Sequence, residues 1–386
     1  MPNPQLLRTF LFIAPATTAI KVAATNPFVL NKEKRRMEWI YDIEFIGFSG
    51  GGVRALAHVG AYRSLQDAFA LKNKSLYKQC KGFSGSSCGS LVALMAVLGL
   101  DALQMVEHTL AFDSKKILSH MEPLEFASRW GLYNKTDITH EIHSLLEKHM
   151  KNRNITFAEL TKFTGKSLMV TATRLNDETV VYFSDKTSPD LEVWRGIVAS
   201  VSIPILFTPS HIGSGVYVDG GVLRNLPIDP LPIEKSLIFH LTSSQWKNTE
   251  VTGVKDFIMR NIYLPINELE KIQIAQIPEM YRNRILTIDT KHISSLNFNL
   301  TETEKQYLLE VGQQAIENNI FLPIQLKSTI FHNLVKEAII ADRREALIPR
   351  ATALRADQKE ALSLHGDDLL AKDQESNNDN NKKNHE

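Results

Sequence analysis

Ile43-Glu44-Phe45-Ile46-Gly47-Phe48-Ser49-Gly50-Gly51-Gly52-Val53-Arg54 runs from an apolar stretch straight into three glycines, and what surrounds it decides the fold. Ile43 to Phe48 reads as a core strand that ends in the glycine loop. Ala55 to Ala70, with Leu56, Val59, Leu65 and Phe69 apolar at mostly helical spacing, reads as the helix that follows. Strand, glycine loop and helix make the first unit. A second unit starts more weakly, because Tyr77 to Phe83 includes Lys78, Gln79 and Lys81. It continues into Leu91 to Leu98, apolar on every face, as a buried helix is.

Working outward, Ser167 to Thr173 and Val180 to Phe183 read as strands separated by a polar turn at Asn176-Asp177, and Leu237 to Leu241 and Ile285 to Ile288 read as two more. Strands alternating with helical stretches predict an α/β fold with a mainly parallel central sheet covered on both faces. Thr301-Glu302-Thr303-Glu304 has the form of a capping box and opens a helix to about Asn318. The expected division is an N-terminal extension over 1–40, a catalytic domain over 41–320, a helical extension over 321–371 that includes an amphipathic helix from Ile330 to Leu347, and a disordered Asn/Lys/Asp tail over 372–386. No internal repeat is visible.

The chain has 386 residues, a formal net charge of +1 and 43% hydrophobic content, enough for one large domain with additions. Near-neutral charge argues against a protein built to hold nucleic acid. Two cysteines, Cys80 and Cys88, do not make a disulfide framework and suit a reducing compartment. The expected location is therefore cytoplasmic and peripheral at membranes, with secretion or delivery into another cell as the alternative. From Leu6 to Leu30 the chain is apolar-rich, but Arg8, Pro15, Lys21 and Pro27 break it as a membrane span. A loosely packed or interface-touching extension competes there with a signal or transit peptide.

Three short segments carry the chemistry. Gly85-Ser86-Ser87-Cys88-Gly89 is a Gly-x-Ser-x-Gly elbow, in which small residues let the chain turn sharply from strand to helix and project a serine oxygen. Ser84, Ser86 and Ser90 lie nearby, but Ser87 alone has glycine at both −2 and +2, so it is the candidate nucleophile. A lone elbow also serves as a plain packing turn; the buried helix after it, with its free N–H groups, favours negative charge near Ser87. Gly50-Gly51-Gly52 lacks the further glycine of a dinucleotide loop, since Ala55 stands there, and lacks the Gly-Lys-Ser/Thr ending of a phosphate loop. Oxyanion-hole donors at Gly50, Gly51 and Gly52, with Arg54 beside them, fit better.

Asp219-Gly220-Gly221 follows what reads as a hairpin over Pro209 to Val218. Aspartate before two glycines is also an ordinary turn, but here a strand delivers the carboxylate to its end. A carboxylate near its ordinary pKa of about 3.9 is a weak base, so this one requires exclusion of water. The histidines after it are His240, within an apolar strand, His292, His332, and His365 and His385 near or in the polar tail; His58 reads as packed or surface-exposed. With no well-placed histidine, a Ser87–Asp219 dyad is expected. No carboxylate cluster has metal-loop spacing, and neither metal nor cofactor is expected.

Taken together, these segments resemble the patatin-like phospholipase family. Gly50-Gly51-Gly52-Val53-Arg54 matches its anion-hole pattern, with Ala55 where many members have glycine. Gly85-Ser86-Ser87-Cys88-Gly89 matches its elbow, with Cys88 where alanine or glycine is usual. Ala199 to Phe207 resembles the segment leading to the aspartate hairpin, and Asp219-Gly220-Gly221 with Asn225 and Pro227 resembles its Asp-Gly-Gly signature. The likeness covers about Ile43 to Asn318, including Thr156 to Leu160. It implies a three-layer α/β/α fold and calcium-independent acyl hydrolysis of a phospholipid or other lipid ester, with contact to a membrane surface. Alternatives on the same dyad are an acyltransferase or a triacylglycerol lipase; an alternative of another class is a lipid-binding or regulatory protein without catalysis. Val254 to Met280 is a candidate apolar approach surface, expected as a helix pair interrupted at Pro265 and Pro278.

Overall fold

The alternation in Phe45-Ile46-Gly47-Phe48 sends side chains to both faces of a strand, and both faces are covered. A computed structural model describes residues 38–111, 126–244 and 249–319. Residues 1–37 of the expected 1–40 extension, the helix at Ile330 to Leu347 and the polar tail lie outside these residues.

The strands are β1 (Phe45–Phe48), β2 (Gly82–Ser86), β3 (Gly131–Tyr133), β4 (Ser167–Arg174), β5 (Thr179–Phe183), β6 (Ile205–Phe207), β7 (Ser210–Ile212), β8 (Gly215–Asp219), β9 (Ser236–Thr242) and β10 (Ile285–Asp289). The longer helices are α1 (Ala55–Ala70), α2 (Cys88–Val97), α3 (Ala102–Ala111), α4 (Thr136–Met150), α5 (Phe157–Thr164), α6 (Val193–Ser200), α7 (Gly253–Gln276) and α8 (Glu302–Asn319). The central sheet has the order β10-β9-β1-β2-β4-β8-β7, with β5 also paired to β4. β10, β9, β1, β2 and β4 are mutually parallel, while β5, β8 and β7 are antiparallel additions. β3 and β6 form a separate parallel pair.

Layering follows from the alternation. On one face Phe48 packs edge-on against Tyr62 and His58 of α1 and against Phe239. On the other, Phe45, Met169 and Ile238 join Leu226, Ile228 and Leu231 and the end of α7 through Ile274 and Ile277. α2 is buried on nearly every side, as an all-apolar helix must be. Its burial makes the turn before it rigid. The capping box at Thr301 forms as written, with Thr301 N–H donating to Glu304 Oε2 at 2.7 Å and Glu304 N–H to Thr301 Oγ1 at 3.2 Å.

Two expectations need correction. The polar start of the second unit is not strand: Leu76–Gln79 is one helical turn, entered at Ser75, whose Oγ accepts the Lys78 N–H, and β2 begins only at Gly82. The expected helix pair over Val254 to Met280 is one helix, α7, which continues through Pro265 and ends just before Pro278. Pro265 removes one backbone bond and crowds the Asn261 carbonyl, but both residues are exposed, so water can meet that carbonyl. Burial of Met259 and Ile266 on either side of the break holds the two halves in one helix.

Candidate active site

β4 acts as a template for the site. Ser86, the last residue of β2, pairs with Thr171, and Asp219, the last of β8, pairs with the next residue, Ala172. β5 pairs with Val170 to Arg174 and must occupy the opposite edge, so β2 and β8 meet end to end along one edge of β4. Both strands stop there, which places Ser87 and Asp219 together although 132 residues separate them. Ser87 Oγ donates to Asp219 Oδ2 at 2.6 Å, and both residues are buried.

Ser87 has φ 52° and ψ −132°, a left-handed conformation that costs a non-glycine residue of order 1–3 kcal/mol. The neighbours impose it. A Cβ at Gly85 would lie 2.3 Å from the Gly89 carbonyl oxygen, and one at Gly89 would lie 2.2 Å from the Phe48 carbonyl oxygen. The two elbow glycines therefore let β2, the turn and the end of β1 close on one another. The Ser87 N–H is held by Ser200 Oγ at 2.9 Å, at the end of α6. From the same turn, the Ser202 carbonyl accepts the Asp219 N–H at 2.9 Å and the Ser200 carbonyl accepts the Gly220 N–H at 3.2 Å. Lys135 in turn donates to Ser202 Oγ at 2.8 Å and Ser210 Oγ at 2.7 Å, and burial lowers its pKa to about 7.

Burial pushes the Asp219 carboxyl up to about 7, against the opposing pull of its bonds to the Ser87 hydroxyl and, at 2.7 Å, the Gly221 N–H. A carboxylate so placed matches its proton affinity to neutral pH. The His58 pKa falls to about 3 by burial, and its Nε2 lies 2.8 Å from the Ser49 carbonyl, where the neutral ring donates. His240 Nε2 lies 3.2 Å from Glu270 Oε2. Among the described residues no histidine is hydrogen-bonded to Ser87 or Asp219.

The glycine loop divides in two. The Gly50 N–H is donated to the Asn225 carbonyl at 3.2 Å, whereas the Gly51 and Gly52 N–H groups face the Cys88 sulfur, beside the nucleophile. Burial pushes the Cys88 thiol up to about 12, so it stays protonated. Arg54 is buried and braces the loop, its Nε donating to the Gly51 carbonyl at 3.0 Å and Nη1 to Thr290 Oγ1 at 3.4 Å. Asn225 ties the loop to α7: its amide nitrogen reaches the Gly50 carbonyl at 3.4 Å and also donates to Glu270. The motifs contain Asn225 and Ser200, but the bracing by Lys135, Glu270 and His240 carries no local sequence signal.

Two cavities meet at Ser87. One, of about 640 Å³, is lined largely by apolar side chains such as Leu56, Leu91, Val92, Met95, Val201 and Phe207. The other, of about 600 Å³, holds Asp219, Arg54, Asn225, His240, Glu270 and Lys271 together with Leu264 and Ile266. Both linings are mostly apolar, and the first also includes Thr301, Glu302 and Lys305, so each chamber beside Ser87 can meet an amphiphilic molecule. Among the described residues no group of three or more His, Cys, Asp and Glu is arranged to hold a metal.

Residues 47–232 match the family model described as patatin-like phospholipase. An uncharacterized protein of Acanthamoeba polyphaga mimivirus is 25% identical over 287 residues, covering 72% of this chain and 94% of the relative. A protein of Invertebrate iridescent virus 6 named a probable lipid hydrolase is 28% identical over 183 residues, covering 47% of this chain and 60% of its own. The crystal structure of VipD from Legionella pneumophila aligns with a TM-score of 0.45 at 17% identity, over 72% of this chain and 66% of that one.

Proposed function

The match of residues 47–232 to the patatin-like phospholipase family is the premise from which we propose that this chain is a lipid acyl hydrolase of phospholipase A or lysophospholipase type. The observation that carries the proposal is the 2.6 Å bond from Ser87 Oγ to a buried Asp219 where two largely apolar cavities meet. The name of the iridescent virus relative agrees with it.

Asp219, ionised, takes the Ser87 proton as Oγ attacks the ester carbonyl. The oxyanion forms within reach of the Gly51 and Gly52 N–H groups, which need only turn from the Cys88 sulfur. Protonated Asp219 then gives its proton to the departing alkoxide, leaving an acyl chain on Ser87. A water, deprotonated by Asp219, attacks that acyl carbonyl, and the Ser87 alkoxide recovers the proton as the fatty acid leaves. The acyl chain occupies the cavity lined by Leu91, Val92 and Met95, and the rest of the ester the one that holds Asn225 and Lys271. Gly50 serves as a strut for the loop, since its N–H is held by Asn225, and Arg54 fixes the loop's carbonyl side.

Ser87→Ala and Asp219→Asn are each expected to remove ester turnover while leaving the fold intact. Mass spectrometry of a lipid extract treated with wild type and Ser87→Ala reads this directly. Equal release of fatty acid by both would reject the dyad.

A further inference from the structure

We propose that the outward face of α7 is a lipid-docking surface that seats the mouth of the Ser87 cavity on a membrane, a reading that rests on the hydrolase function above. α7 has an inward and an outward face. Met259, Ile266, Glu270 and Gln273 are buried toward the core. On the opposite side Val254 is 75% exposed, Phe257 59%, Leu264 65% and Ile272 52%. At 3.6 residues per turn these four fall within about 80° of one another around the helix axis. Four of the ten large hydrophobic side chains exposed among the described residues lie on α7, with Val251 and Met280 beyond its two ends. Scattered single apolar residues are ordinary on a protein surface, whereas a stripe concentrated on one element marks an interaction site.

The occupant follows from where the stripe leads. Leu264 belongs to the stripe and also lines the cavity that contains Ser87 and Asp219, so the apolar surface is continuous with the entrance to the site. An ester whose acyl chains lie in a bilayer has to leave it at that entrance. Charge agrees: Lys271 and Glu268 at the stripe pair with each other at 2.5 Å, and Arg260 pairs with Asp256 at 3.0 Å. A self-neutralised stripe suits a zwitterionic lipid surface held by apolar contact, which salt screens little. Glu270, on the buried side of the same helix, reaches Asn225 and through it the Gly50 loop, so docking bears on the element that braces the oxyanion donors.

The test uses the full chain and phosphatidylcholine vesicles. Co-sedimentation is expected for wild type at low and high salt, and to weaken about tenfold or more in Phe257→Asp and in Ile272→Asp. Neither residue lines the cavity, so turnover of a water-soluble short-chain nitrophenyl ester should remain at the wild-type level while hydrolysis of vesicle phospholipid falls with binding. If an aspartate variant loses its cooperative thermal melt, Phe257→Ser takes its place. Vesicle binding unchanged in a folded variant overturns the proposal, as does binding to anionic vesicles alone. A wild-type dimer that these substitutions dissolve also overturns it, because a second copy then covers the stripe. Absence of any Ser87-dependent turnover of the soluble ester counts against the hydrolase reading instead, and the vesicle measurement still decides the docking surface.

Discussion

In the proposed mechanism Asp219 takes up a proton only after losing its own, and burial holds that proton on to about pH 7. Turnover of a soluble ester is therefore expected to rise with pH through an ascending limb near 7, read from kcat/KM across pH 5 to 9. Stability runs the other way. The unfolded carboxyl releases its proton near the ordinary 3.8 and the folded one near 7, so between these values the folded state binds more protons and loses stability as pH rises. Asp219→Asn removes the buried charge and should stabilise the protein at pH 8 by about 1–3 kcal/mol, a difference that shrinks toward pH 4 in thermal melts. Ser87 is legible in the sequence because two glycines frame it, and Asp219 because a glycine turn ends its strand. Lys135 is not, because the Ser202 it holds lies 67 residues away. Lys135→Met should lower kcat about tenfold with KM nearly unchanged and the ascending limb retained, and Lys135→Arg should recover most of it. A limb that moves with Lys135 would reassign the titration.

At the scale of elements, periodicity was a good guide where burial is uniform and a poor one where tertiary packing overrules local preference. α1 spans Ala55–Ala70 as the spacing of its apolar residues predicts, and β9 and β10 lie within a residue of Leu237 to Leu241 and Ile285 to Ile288. α7 escaped because a proline inside a pattern normally ends a helix, and nothing local says that Met259 and Ile266 will be buried on both sides of Pro265. α7 also braces the site from behind, through Glu270 and Asn225. Glu270→Ala is expected to loosen the Gly50 loop and reduce kcat on a soluble ester by roughly 5- to 30-fold, with Ser87 still reactive, as read by its phosphonylation with a fluorophosphonate label. Loss of labelling together with a collapsed melt would instead place Glu270 in the core's stability.

At the scale of the molecule, the sequence foretold an α/β protein with a mainly parallel sheet, which the structure has, but not the meeting of two cavities at one serine. Cavities are made by residues far apart in the chain, such as Met95 and Val201, and have no linear signature. If the cavity lined by Met95 holds the acyl chain, Met95→Trp should depress turnover of long-chain esters at least tenfold while sparing short-chain ones, as measured by KM and kcat over a chain-length series. Equal effects on all lengths would put the chain elsewhere. The end-to-end meeting of β2 and β8 on β4 has a further consequence. Ser87 and Asp219 stand as a pair only when two strands from distant parts of the chain have both found their register on a third. A nascent or half-assembled chain thus has Ser87 without Asp219 beside it, and under the proposed mechanism would turn over no ester until assembly is complete.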